Sequence, residues 1–88
     1  MREIHLRKLS YDEARQKLER EIHSAFYSGE QFLEIVHGVG GGVIRKMVYE
    51  YIQTLDFVKP IERSESLWKN PGTLQVELLV PGLGARQK

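Results

Sequence analysis

Apolar and polar residues alternate from Arg2 to Arg7, with Ile4 and Leu6 on one face and Glu3, His5 and Arg7 on the other, the period of a half-exposed β-strand. The pattern then changes to helical spacing, with Ala14, Leu18, Ile22, Ala25 and Phe26 along one stripe. Ser10-Tyr11-Asp12-Glu13 ahead of that stripe is a capping box: the Ser10 hydroxyl accepts from the Glu13 N–H, and the Glu13 carboxylate accepts from the Ser10 N–H. Leu9 and Ala14 are spaced as a small hydrophobic staple across it, and Gly29 supplies the left-handed residue that ends the helix.

Phe32, Leu33, Ile35 and Val36, broken only by Glu34, predict an interior parallel strand covered on at least part of both faces. Ile44, Met47, Val48, Tyr51, Ile52 and Leu55 form a second helical stripe. Val58 to Arg63 reads as a third strand, which Pro60 confines to an edge or a bulge. Ser64 to Gly72 is polar except for Trp68 and reads as a loop, and Thr73 to Leu79 alternates Leu74, Val76 and Leu78 against polar neighbours as a last strand. Pro81 to Lys88 has little to bury and reads as a flexible tail.

The order βαβαββ predicts an α/β fold: a two-layer sandwich in which a four-stranded mixed sheet carries two helices on one face and leaves the other bare. The 88 residues make one domain, expected over residues 1–80 with 81–88 as its tail. The absence of cysteine excludes a disulfide framework, a zinc knuckle and thiol catalysis. No apolar run reaches transmembrane length and no secretory signal pattern opens the chain, so a cytoplasmic protein without membrane contact is expected. A net charge of +1 does not suit a general polyanion binder, so any nucleic-acid binding has to come from a local patch.

Such a patch is visible in Ile35-Val36-His37-Gly38-Val39-Gly40-Gly41-Gly42-Val43-Ile44-Arg45-Lys46, which reads as strand, glycine turn and helix. Gly38, Gly40, Gly41 and Gly42 leave Val39 as the only side chain in the turn, so a ligand can approach the main chain closely. The helix then points its unpaired first-turn N–H groups and its positive dipole end at the turn, which suits an anion. Arg45 and Lys46 add cations where the dipole disfavours them and an anionic partner would offset the cost. Ligands of such sheets gather beyond the carboxyl ends of the parallel strands, where Arg7 and Lys8 follow the first strand as His37 follows the second.

With these residues in place, the chain resembles the Smr domain, the small MutS-related family. The HGxGxG motif stands as His37-Gly38-Val39-Gly40-Gly41-Gly42, followed by the apolar-apolar-basic helix start Val43-Ile44-Arg45-Lys46. The opening LDLH or LDLR motif aligns with Ile4-His5-Leu6-Arg7, the capped helix with Ser10 to Ala14, and the closing glycine and strand with Gly72 to Leu78. Four positions depart from the pattern. His5 replaces the acidic residue, Arg7 is the arginine variant, Lys8 replaces a glycine, and Val39 replaces a basic residue.

The resemblance implies an α/β sandwich that binds DNA or RNA and, in many members, cuts it as an endonuclease. Some members are linked to stalled ribosomes, which makes the ribosome a further candidate partner. Carried onto this chain, the binding residues are Arg7, Lys8, Gly38, Gly40, Gly41, Gly42, Arg45 and Lys46, with His37 and His5 as the catalytic candidates. A carboxylate at position 5 could hold a metal, whereas an imidazole is a poor ligand for Mg²⁺, so neither metal nor cofactor is expected and any cleavage should be weak, metal-free and better on RNA. Two histidines could then divide the proton transfers. His37 also has a structural reading, a histidine that bonds the backbone of its own turn. The alternative for the whole chain is a non-catalytic module that binds DNA, RNA or a ribosome-associated partner. A small-molecule phosphate site would use the same glycines but lacks the Walker lysine and the Rossmann acid.

Overall fold

The computed structural model describes residues 1–38, 42–61 and 72–79. The elements run β1 (Arg2–His5), α1 (Tyr11–Tyr27), β2 (Phe32–Val36), α2 (Val43–Gln53), β3 (Val58–Ile61) and β4 (Thr73–Leu78). The loop expected from Ser64 with its Trp68, the last two residues expected of the third strand, and the tail over 81–88 lie outside the described residues.

Local sequence sets the ends of α1. The Glu13 N–H donates to Ser10 Oγ (3.2 Å) and the Ser10 N–H donates to Glu13 Oε1 (3.0 Å), which completes the capping box. Gly29, at φ +80°, lets the chain leave in a Schellman motif, with the Glu30 N–H on the Ala25 carbonyl and the Gly29 N–H on that of Phe26. The α1 stripe Ala14, Leu18, Ile22 and Ala25 is buried, as are Met47, Val48, Tyr51 and Ile52 of α2. Both pack with Ile4, Leu6, Leu33, Ile35, Leu74, Val76 and Leu78 in one core between helices and sheet.

The sheet order is β1-β2-β4-β3, with β1 parallel to β2 and β4 antiparallel to both β2 and β3. The last strand therefore inserts into the gap that the second crossover skips, and β3 becomes an edge where Pro60 costs no interior hydrogen bond. Leu33 and Ile35 of β2 are buried on the helix side, while Phe32 is 40% exposed and Glu34 and Val36 are half-buried on the other, so β2 is interior within the sheet, covered fully on one face and in part on the second.

Candidate nucleic-acid interface

Strands β1 and β2 run parallel and end side by side, with His5 opposite Val36. The Leu6 N–H donates to the Val36 carbonyl (2.8 Å), which carries the pairing past the end of β1. The chain then turns through Arg7 and Lys8, closed by a long 3.4 Å bond from the Leu9 N–H to the Leu6 carbonyl. Lys8 takes φ +67°, the only described non-glycine residue in the left-handed region. Glycine would occupy that region without strain, and a lysine there is held against its own backbone preference.

On the β2 side the Gly72 carbonyl accepts from both the His37 N–H (2.8 Å) and the Gly38 N–H (2.9 Å), using both of its lone pairs. That clamp fixes the start of the glycine turn, where Gly38 has φ +86°. A Cβ at Gly38 would lie 3.3 Å from Arg7 Cγ, so the arginine stem runs directly across the glycine. The turn ends at Gly42, with φ +88°, which caps α2 with no side-chain hydrogen bond, and the first turn of α2 holds no acidic residue. The Lys46 N–H is the first to find a helical partner, on the Gly42 carbonyl (2.9 Å). Gly42, Arg45, Lys46 and Tyr49 line an open depression of about 260 Å³, below the range of ~300–1,000 Å³ usual for sites that enclose a small molecule.

His37 is 5% exposed. Its Nδ1 lies 2.8 Å from the Gly38 carbonyl, an acceptor only, so Nδ1 carries the hydrogen and donates it. The lone pair is thereby assigned to Nε2, which is buried without a partner among the described residues. Burial holds the imidazole below its ordinary pKa; the Gly38 hydrogen bond opposes that shift and the Arg45 charge adds to it. The His37 ring meets the Tyr49 ring edge-to-face, centroids 6.4 Å apart, and the Arg45 guanidinium lies 5.2 Å from the centroid of the same Tyr49 ring.

His5 goes elsewhere. Side chains alternate across a strand, and His5 shares the open face with its partner Val36, whereas Leu6 and His37 point to the covered side. Its imidazole Nε2 is 2.8 Å from Glu3 Oε1 on that exposed face. The structure lends the expected His5–His37 pair no support: His5 is exposed and engaged with Glu3, whereas His37 is buried on the covered side. The structure does bring Arg7 onto Gly38, leaves Lys8 beside it in the same turn, and gathers Gly42, Arg45 and Lys46 at the start of α2. Gly40 and Gly41 lie outside the described residues. Tyr27, exposed at the far end of α1 against Phe26, is remote from this corner. Among the described residues no three His, Asp or Glu side chains are grouped to hold a metal ion. No helix among them is long and apolar enough to cross a membrane.

Sequence reasoning missed two contributors. The Arg45-to-Tyr49 spacing of one helical turn was readable as a side-chain pair, but its contact with His37 is tertiary. The Gly72 clamp had no signal beyond a glycine before the last strand.

The fold and this corner define a two-layer α/β domain with a cationic, glycine-lined end. The family profile of the Smr domain matches residues 4–79, and the chain belongs to the Smr domain family. It is 44% identical over 57 residues to the Endonuclease MutS2 of Lactobacillus helveticus, a match covering 65% of this chain and 7% of that protein. To the Endonuclease MutS2 of Thermomicrobium roseum it is 35% identical over 60 residues, covering 68% and 8%. The chain thus spans less than a tenth of the length of these relatives. The crystal structure of the Smr domain of Thermus thermophilus MutS2 shares the fold, with a TM-score of 0.78 at 24% identity over 89% of this chain and 98% of that one.

Proposed function

We propose that this chain is a nucleic-acid-binding domain, its binding unit spanning residues 1–80, that grips the phosphate backbone at the carboxyl ends of β1 and β2. Arg7, Lys8, Arg45 and Lys46 supply charge, Gly38 and Gly42 supply main chain without side chains, and Gly40 and Gly41 are proposed to join them on sequence grounds. The observation that carries this reading is the start of α2: a glycine cap with no side-chain hydrogen bond, no acid in the first turn and two exposed cations within it. An anion at that end offsets the repulsion between the helix dipole and Arg45 and Lys46. His37 acts as the turn's internal brace, through Nδ1 on Gly38.

A second reading, weak endonuclease activity, is favoured by the relatives' name, Endonuclease MutS2. Proton transfer would then fall to His37, whose low pKa leaves Nε2 unprotonated and able to take a proton from an RNA 2′-hydroxyl once a bound strand uncovers it. His5 takes no part. The test is a titration of a labelled four-way DNA junction and a labelled RNA hairpin, with product analysis in the presence and absence of Mg²⁺. Binding of at least one probe is expected, with slow cleavage at most, lost in His37→Ala and unchanged in His5→Ala. Failure to bind either probe at low salt overturns the binding reading, and rapid Mg²⁺-dependent nicking that survives His37→Ala overturns the role given to His37.

A further inference from the structure

Arg45 has no ion pair or hydrogen bond among the described residues, although its position at a helix N-terminus is electrostatically unfavourable for a cation. A long exposed side chain in that setting would spread over many rotamers, since its side-chain entropy is among the largest of any residue. Its one close partner is the Tyr49 ring, with the guanidinium carbon 5.2 Å from the centroid. Tyr49 is itself half-buried and packed against the core, and its ring also meets the ring of His37. Helical side chains lean toward the N-terminus, so the ring of residue 49 extends back over the turn that carries residue 45.

We infer that Tyr49 is a positioning residue of this site: its core-anchored ring holds the Arg45 guanidinium beside the glycine turn by a cation–π contact, so that the cation is in place before an anion arrives. The inference rests on the nucleic-acid-binding reading for its use, but the positioning itself can be observed without a ligand. A neutral ring bound between His37 and Arg45 also explains how a cation is kept close to the buried imidazole with no carboxylate between them among the described residues. Lys46, the neighbouring exposed cation, has no such platform among the described residues.

The experiment compares wild type with Tyr49→Phe, which keeps the ring, and Tyr49→Leu, which keeps only apolar bulk. In the free protein, NMR of the Arg45 side chain should show ring-current shifts of its δ protons that survive in Tyr49→Phe and vanish in Tyr49→Leu, with melting temperatures checked in parallel. With the labelled DNA junction as probe, Tyr49→Leu should weaken binding about twofold to fivefold, the size of an exposed cation–π contact, and Tyr49→Phe should match wild type. In an Arg45→Ala background Tyr49→Leu should have no further effect. Absence of the ring-current shift in wild type overturns the inference whatever the probe does. Shifts present with equal binding by wild type and Tyr49→Leu also overturn it, whereas shifts present with no binding by wild type overturn the nucleic-acid reading and leave the positioning standing.

Discussion

The stem of Arg7 crosses Gly38 so closely that an added Cβ would sit 3.3 Å from Arg7 Cγ, and this contact joins the two chain segments that build the corner. Gly42 has nearly the same φ of +88°, but an added Cβ there would meet nothing within 4 Å among the described residues. The two glycines therefore separate backbone strain from ligand geometry. Gly38→Ala and Gly42→Ala should each destabilise by about 1–2 kcal/mol, the ordinary cost of a left-handed alanine, measured by urea unfolding. Only Gly38→Ala should also displace Arg7 and weaken nucleic-acid binding beyond its stability loss. Equal binding defects in the two variants would remove Arg7 from the site.

Lys8 offers the reverse exchange. Its φ of +67° carries a strain that glycine would not, while glycine gives the unfolded chain more freedom. Lys8→Gly should therefore leave stability unchanged or raise it by up to about 1 kcal/mol, and Lys8→Val should lower it, because a β-branched residue suits that region poorly. If Lys8 contacts phosphate, the glycine variant should also bind more weakly at low salt than at high salt relative to wild type. A stable Lys8→Gly protein with unaltered binding would make this lysine a tolerated substitution and nothing more.

The buried imidazole makes stability depend on pH. Since burial holds the folded pKa of His37 below its ordinary value, the unfolded chain binds more protons in the window between the two values, and stability rises with pH there. Stability should be complete above the unfolded value of ~6.5 and should fall as the pH drops below it. Urea unfolding at about pH 7.5 and about pH 5.5, on either side of the ordinary imidazole pKa, checks the sign, and His37→Asn should flatten the difference. Glu13, whose carboxyl is held below its usual range by the Ser10 backbone N–H, keeps its contribution at both of these pH values and loses it only as the pH falls further, through the carboxylate range. A wild type equally stable at both values would contradict the buried, neutral histidine.

Contacts within one element were legible in the sequence, and contacts between elements were not. Ser10 and Glu13 are three residues apart and form the box whatever surrounds them, and Leu74, Val76 and Leu78 announce a buried face by period alone. That period says which face is buried without naming the neighbouring strand, so β4 between β2 and β3 could not be read from it. The relative placement of His5 and His37 could not be read for the same reason. Both residues do lie at strand ends, but His5 pairs with Val36, and a register offset of one residue sends the two rings to opposite faces. The corner was legible because its parts, Arg7 and Lys8 after one strand and His37 with its glycines after the next, follow from the parallel topology itself.

The salt dependence of binding tests most directly whether phosphate is gripped at this corner. Binding of the DNA junction or RNA hairpin by wild type should give a log K that falls linearly with log salt, by ~0.7–0.9 for each phosphate contacted. Arg7→Ala and Arg45→Ala should each flatten that line by about one contact. A line already flat in wild type, or one that neither substitution changes, would contradict the account and move the binding surface away from the glycine turn.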